Sequence, residues 1–240
     1  MKLRLLITRP SPGAEKTAAR LEAMGHKAIV SPMLRYVPLE PVLPAPESFD
    51  GLVVTSANAL RAFALDPVWE EWRNLPLHAV GDATADTAIA LGATRVDSAG
   101  GDADALAAML RKTPGRRLFY PCAAEPAADI AGLLAPAGHK VTALPVYEMR
   151  RMNRLTPNAE IALGAGSIDA ALVYSRRTAE ALGDALADLR VRDLTCLCIS
   201  AVTAEALTAR GQKRCYASTA PNETGMLALV NALENQQIGS

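Results

Sequence analysis

Apolar residues in this chain gather in short runs of strand length, separated by longer stretches in which Ala and Leu recur every three or four positions. The runs read as buried strands and the stretches as helices, and their alternation is the signature of βα units around a parallel sheet. The pattern predicts strands over 4–8, 27–31, 51–55, 77–80, 117–120, 140–144, 170–174, 195–199 and 214–216. Between them it predicts helices over 13–24, 57–65, 83–91, 103–111, 124–135, 177–187, 203–209 and 224–234.

The pattern also repeats. Gly25-His26-Lys27 recurs as Gly138-His139-Lys140, an offset of 113, and at the same offset Arg4-Leu5 meets Arg117-Leu118 and Pro32 meets Pro145. Asp50, Ser56, Thr84 and Gly92 fall on Asp169, Ser175, Thr203 and Gly211 at an offset of 119. Two successive halves therefore share one order of elements. At 240 residues the chain is longer than one comfortable core and suits two small domains. Gly25 and Gly138 are placed to end helices in the left-handed conformation, so His26 and His139 read as helix-exit residues. His78 opens a strand alone, and with three His in all, a His–carboxylate pair or a His metal cluster is not supported.

Charge narrows the ligand. Lys+Arg (25) balances Asp+Glu (25), so no whole-molecule field draws nucleic acid or an anionic membrane, and an anionic ligand needs a local patch. The opening MKLRLLITRP holds too short an apolar run for a signal peptide, and no apolar stretch approaches the ~20 residues that span a bilayer, so a cytoplasmic protein is expected. Monomer is the default expectation. Cys196 and Cys198 point to one face of a strand as buried thiols, while Cys122 and Cys215 are isolated; neither a disulfide framework nor a zinc site follows.

In parallel α/β sheets ligands bind beyond the carboxyl ends of strands. The turns there read Thr8-Arg9-Pro10, Thr55-Ser56-Ala57-Asn58, Gly81-Asp82-Ala83-Thr84, Ser175-Arg176-Arg177-Thr178 and Ser200-Ala201-Val202-Thr203. Each sets a hydroxyl beside the free N–H groups of a helix start, a natural pocket for carboxylate or phosphate oxygens. Simple N-capping would select the same residues. No G-x-G-x-x-G follows a strand and no G-x-x-x-x-G-K-[ST] is present, which disfavours NAD, FAD and NTP. Arg9 and Arg176 stand where a guanidinium forks onto a carboxylate. Arg35, Arg150, Arg151 and Arg154 gather near the junction of the halves, as ligand contacts or as a solvated linker. Tyr147 closes an apolar strand there, as interdomain packing with a hydrogen-bonded tip or as a working phenol.

At these residues the sequence resembles the uroporphyrinogen-III synthase family. The matching pieces are Leu6-Ile7-Thr8-Arg9-Pro10, the stretch from Asp50 to Ala59 with its Thr55-Ser56-Ala57-Asn58 turn, Ala79-Val80-Gly81-Asp82-Ala83-Thr84-Ala85 with Gly92 after it, Leu144-Pro145-Val146-Tyr147, and Asp169 to Ser175. The second Val-Gly-x-x-Thr-Ala counterpart carries Ser200 where the family usually has Gly. Tyr120-Pro121-Cys122 stands in place of an Arg-Gly pair, and that loop receives no role.

The resemblance implies two similar α/β domains, each a parallel sheet flanked by helices, joined by two extended crossings with a cleft between them. Residues 1–36 plus 150–240 would form the first, discontinuous domain and 37–149 the second, with Tyr36 and residues 147–150 at the crossings. It implies a cofactor-free lyase of tetrapyrrole (haem) biosynthesis that dehydrates hydroxymethylbilane and closes it to uroporphyrinogen III, inverting ring D through a spiro intermediate. Pyrrole nitrogen lone pairs expel the hydroxyl, so one proton donor suffices; the family's tyrosine maps onto Tyr147. Thr84, Thr203, Ser56 and Ser175, with their turn amides, would hold the acetate and propionate carboxylates, supported by Thr8, Arg9, Thr55, Asn58, Gly81, Arg176 and Ser200. Rival readings are a clamshell ligand-binding module without chemistry, which would need a signal peptide for a periplasmic home, and a nucleotide-sugar transferase, for which no diphosphate-binding Gly loop is evident.

Overall fold

A computed structural model describes residues 2–235. The chain begins with β1 (Arg4–Ile7), α1 (Gly13–Ala23), β2 (Lys27–Val30) and β3 (Leu34–Pro38). There follow β4 (Gly51–Val54), α2 (Ala57–Phe63), α3 (Trp69–Trp72), β5 (Leu77–Ala79), α4 (Asp82–Ala90), β6 (Val96–Ser98) and α5 (Ala103–Leu110). Next come β7 (Arg117–Ala123), α6 (Ile130–Leu134) and the long β8 (Lys140–Arg151). The last part holds α7 (Pro157–Gly164), β9 (Ala170–Val173), α8 (Arg176–Asp188), β10 (Thr195–Cys198), α9 (Ala201–Thr208), β11 (Cys215–Ala217) and α10 (Glu223–Glu234). These elements form two compact units, Met1–Tyr36 with Arg150–Ser240, and Val37–Met149. The chain thus passes from one unit to the other inside β3 and again inside β8.

The discontinuous unit is built on an all-parallel sheet in the order β11-β10-β9-β1-β2. Alternation along its strands sends side chains to two faces. On one face Leu5, Ile7, Leu172 and Leu197 pack with Leu21 of α1 and Met226 and Val230 of α10. On the other Leu6, Ala171 and Cys196 pack with Leu182 and Leu186 of α8 and Leu207 of α9.

The continuous unit has the strand order β3-β8-β7-β4-β5-β6, with parallel pairing from β8 through β6. On one face of its sheet Leu118 and Tyr120 pack against Leu106 and Leu110 of α5. An aromatic cluster of Phe49, Phe63, Trp69, Trp72 and Phe119 fills another part of the core, with Trp72 and Phe119 ring centres 4.7 Å apart. Trp72 and Phe119 have no solvent-accessible surface.

The repeat seen in the sequence is reproduced contact for contact. Asp169 Oδ2 accepts the Arg4 backbone N–H at 2.6 Å where β1 meets β9, and Asp50 Oδ2 accepts the Arg117 N–H at 2.8 Å where β7 meets β4. His26 Nδ1 accepts the Leu3 N–H and His139 Nδ1 the Arg116 N–H, both at 3.3 Å. Gly25 (φ 88°) and Gly138 (φ 81°) are left-handed, as their place at helix exits requires, and both histidines are buried. Each unit therefore joins the opening βαβ of one repeat to the closing part of the other.

Several expectations are corrected. Only Ile130–Leu134 of the predicted 124–135 helix is α-helical, running into a 3-10 turn at Ala135, because Pro126 interrupts it and Asp129 caps the remainder through Gly132 N at 2.9 Å. β8 runs on to Arg151 instead of stopping at 144, past an irregularity in its pairing with β7. β3, β6, α3 and α7 were not predicted; they are short or weakly patterned. Cys215, expected to be isolated, lies opposite Cys196 in the β10–β11 pair. No helix among the described residues is long and apolar enough to cross a membrane.

Because both tryptophans of the chain lie in the continuous unit, indole fluorescence reports on that unit. Phe119→Ala, which empties the middle of the aromatic cluster, is expected to lower that unit's stability by about 3–5 kcal/mol in a urea titration followed by tryptophan emission.

Candidate functional site

The parallel strands deliver the five turns to the carboxyl ends of their own sheets, and the turns fall into distinct kinds. Thr55 and Ser56 follow β4. Ser56 is extended (φ −150°, ψ 130°) and its Oγ accepts the Asn58 N–H at 3.2 Å, so it caps α2. The neighbouring strands add two phenols to this turn. Tyr120, near the end of β7, shares a 2.9 Å hydrogen bond with Thr55 Oγ1, and the Tyr147 hydroxyl of β8 donates to Ser56 Oγ at 3.2 Å. The register explains the reach of Tyr147: Pro145 is opposite Cys122 and Tyr147 opposite Ala123, so an extra residue re-aims the strand. Burial pushes the Tyr120 phenol above its ordinary value. Asn58 Oδ1 accepts from Arg61 Nη1 at 3.1 Å.

At the end of β5 the helix α4 starts on Gly81 (φ −161°, ψ 170°) with no side-chain cap. An ideal Cβ on Gly81 would stand 3.4 Å from the Gly101 carbonyl oxygen, which leaves little room for a side chain. Thr84 is buried one turn in, and the Asp82 carboxylate accepts from Ser98 Oγ at 2.6 Å.

In the discontinuous unit the contrast between capped and uncapped turns recurs. Ser175 Oγ accepts the Thr178 N–H at 3.2 Å and donates to Thr178 Oγ1 at 2.9 Å, closing a cap on α8. Ser200 occupies the equivalent place before α9 but caps nothing; its hydroxyl lies 3.0 Å from Thr203 Oγ1. No acidic side chain stands in the first turn of either helix. The α9 start therefore keeps backbone donors for an acceptor from outside, in a positive helix-end field.

Three expected contact residues are engaged elsewhere. Thr8 has no exposed surface and donates its hydroxyl to the Leu172 carbonyl at 2.7 Å, so it ties β1 to β9. Arg9 already has a carboxylate, with Nη1 3.0 Å from Glu223 Oε2 and 3.3 Å from Thr17 Oγ1. Its guanidinium stacks 4.2 Å from the centre of the Tyr174 ring and fills the space where a Cβ on Gly13 would fall. Burial pushes the Tyr174 phenol up to about 12. Arg176 pairs with Glu180 one turn along its own helix, Arg154 with Glu160 and Arg151 with Asp184. Tyr120, Tyr174 and Glu223 are the site neighbours that sequence reasoning missed; the strand-end position of the two tyrosines was the available signal.

On the carboxyl side of β1 and β2 the discontinuous unit carries a mainly apolar groove of about 890 Å³, lined among others by Pro12, Pro32, Leu34, Tyr36 and Leu155. Among the described residues no group of three His, Cys, Asp or Glu side chains is placed to hold a metal ion.

The family model described as Uroporphyrinogen-III synthase HemD matches residues 15–228. The chain belongs to the uroporphyrinogen-III synthase family. It is thus a cyclising lyase of tetrapyrrole biosynthesis. Its fold is similar to the crystal structure of uroporphyrinogen-III synthetase from Helicobacter pylori, with 20% identity, a TM-score of 0.68, and coverage of 97% of this chain and 100% of that one. A mutant uroporphyrinogen III synthase from Thermus thermophilus is similar at 21% identity and a TM-score of 0.55, covering 97% and 99% of the two chains. No curated protein matches the chain significantly in sequence. Within this chain the two equivalent turns differ, Ser200 being uncapped where Ser175 is capped.

That difference has a measurable outcome. Ser175→Ala is expected to cost about 1 kcal/mol of stability through loss of the cap. Ser200→Ala should stay within roughly 0.5 kcal/mol of the parent, as surface substitutions without a special role do. Thermal melts followed by circular dichroism check both.

Proposed function

We propose that the enzyme dehydrates hydroxymethylbilane and closes it to uroporphyrinogen III, inverting ring D through a spiro intermediate, with Tyr147 as proton donor. The observation that carries this reading is the Tyr147 phenol donating to Ser56 Oγ at 3.2 Å while that same oxygen accepts the Asn58 N–H. The phenol is thereby held in one orientation, 7% exposed, at the carboxyl edge of a sheet. A pyrrole nitrogen lone pair pushes out the terminal hydroxyl, which takes the Tyr147 proton and departs as water. Ser56 then reverses its hydrogen bond and donates to the phenolate, while the Asn58 amide keeps its oxygen polarised. Attack by the substituted carbon of the last ring gives the spiro species, whose rearrangement inverts that ring. Loss of a proton completes the macrocycle and restores the phenol.

Eight carboxylates make the substrate an extended polyanion, and the uncapped helix starts supply donors for them. The backbone N–H groups of Ala201 and Val202 with the Ser200 hydroxyl would take one carboxylate, and the Asp82 and Ala83 N–H groups beside Gly81 and Thr84 another. The Asp82 carboxylate opposes the second, so the α9 start is the stronger of the two. Thr55, Ser56, Asn58, Ser175, Thr203 and Arg176 border these places. The apolar groove beside Leu34 and Tyr36 offers surface for pyrrole rings. The substrate closes spontaneously to the symmetric isomer, so the enzyme's task is chiefly to hold a conformation.

Two variants separate proton transfer from holding. Tyr147→Phe is expected to slow formation of the type III isomer by roughly 10–10³-fold with an unchanged fold. Hydroxymethylbilane is supplied and the isomers are resolved by chromatography; parental turnover by this variant would remove the donor role. Ala201→Pro deletes one backbone donor at a position where proline fits, since Ser200 before it is already extended (φ −155°, ψ 165°). Loss of one charge-assisted hydrogen bond of about 1.5–3 kcal/mol should raise KM about 10–100-fold while the melting temperature holds. An unaltered KM would return the α9 start to a structural role.

A further inference from the structure

Apart from the strand-end turns, three thiols meet on one face of the discontinuous unit's sheet. β10 and the edge strand β11 run parallel with Cys196 opposite Cys215. Cys196 and Cys198 lie in the core beneath α8 and α9, and Cys215 packs against that same core, so the three side chains share a face. All are free; Cys196 and Cys198 are fully buried and Cys215 is half-buried. Neighbouring strands run about 4.8 Å apart, inside the roughly 4.4–6.8 Å Cα span that a disulfide accepts. The Cys196 thiol donates to the Leu194 carbonyl at 3.5 Å and the Cys215 thiol to the Gln212 carbonyl at 4.0 Å, while the neighbouring Cys196 thiol holds Cys215 down to about 7 and is itself raised. Burial pushes the thiols of Cys198 and Cys122 up. Thiolate character at neutral pH therefore concentrates on the accessible edge position, and its nearest neighbour is a protonated thiol.

We propose that Cys215 and Cys196 form a hydroperoxide-reactive dithiol, with Cys215 as the attacking and Cys196 as the resolving cysteine. In the first step the Cys215 thiolate attacks one oxygen of the hydroperoxide, the O–O bond breaks, and the other oxygen takes a proton and leaves as water or alcohol. Cys215 is then a sulfenic acid. In the second step the Cys196 sulfur attacks the Cys215 sulfur, the S–S bond forms and the S–OH bond breaks. The departing hydroxide takes the Cys196 proton and leaves as water. Two electrons pass from the thiols to the hydroperoxide, and β11 becomes covalently tied to β10, whose carboxyl end leads into the Ser200 turn. Neither sulfur has a part in the tetrapyrrole chemistry, so this reading stands or falls apart from it.

The full chain is treated with an equimolar amount of hydrogen peroxide at neutral pH, digested without reductant and mapped by mass spectrometry. The expected result is a linked pair of peptides joining Cys196 to Cys215, two hydrogens lighter than their sum and separated by dithiothreitol. In the untreated chain, iodoacetamide should modify Cys215 roughly tenfold faster than Cys122. Cys196→Ala should stop the reaction at the sulfenic acid, trapped on Cys215 by dimedone, and Cys215→Ser should give no cross-link and leave Cys196 unmodified. Absence of the Cys196–Cys215 peptide pair in the parent chain overturns the proposal, as does a dimedone adduct that forms elsewhere but not at Cys215. Where Cys196→Ala does not fold, the cross-link in the parent chain decides the matter alone.

Discussion

Each sheet is closed by one pair of central parallel strands whose partners lie far apart in the chain: β1 with β9, and β4 with β7. Both pairs are pinned in the same way, by an Asp carboxylate that takes the backbone N–H of the residue opening its partner strand. The sequence separations are 165 residues for Arg4 with Asp169 and 67 for Arg117 with Asp50. Register matters here because a slip of one residue would turn Leu5 and Ile7 from one buried face to the other. A carboxylate at the strand's entrance fixes that register with a charge-assisted bond. The Arg117 guanidinium beside Asp50 holds its carboxyl below the usual carboxylate range, so this pin stays ionised at neutral pH. Everything functional hangs on the pairing, since it decides which strand ends stand side by side.

Parallel order sends every turn of a unit to the same edge, and the chain then uses near-identical turns for different ends. Where the hydroxyl accepts an amide of its own helix, as at Ser56 and Ser175, the turn is closed and rigid. Where it does not, as at Gly81 and Ser200, the helix start keeps its donors. Ser56 does both jobs, capping α2 and receiving the Tyr147 hydroxyl. A rigid acceptor is what an oriented phenol needs, because a mobile one would spread its proton over many directions.

Much of this was readable from the residues. The Gly25-His26 and Gly138-His139 pairs, and the offset matches of Asp50 with Asp169, announced a duplication that the structure reproduces down to single hydrogen bonds. The turn residues were found because parallel strands oblige ligand-facing positions to follow them. What escaped notice depends on partners remote in sequence. Nothing near Arg9 discloses that Glu223 of α10 would take its guanidinium, nor does Thr8 advertise that Leu172 would claim its hydroxyl. Tyr120 lay in a run recognised as a strand, but its neighbour Thr55 is 65 residues away, and only the β4–β7 pairing brings them within 2.9 Å. Likewise Cys215 looked solitary until β11 was laid against β10. A short edge strand such as β6 carries too few alternating positions to declare itself.

The interleaving of the two repeats sets a timetable for synthesis. As the chain leaves the ribosome, residues 37–149 emerge as an uninterrupted stretch holding every strand of their own sheet from β4 to β8, so that lobe can assemble while translation continues. The opening β1-α1-β2 has no such option. β1 must wait until β9 has been made before its second neighbour exists, and in that interval Leu5, Leu6 and Ile7 are shielded by local contacts alone. The β1-α1-β2 segment is thus made well before the strand that completes its pairing, and until then its apolar surface is open to wrong pairing or chaperone capture.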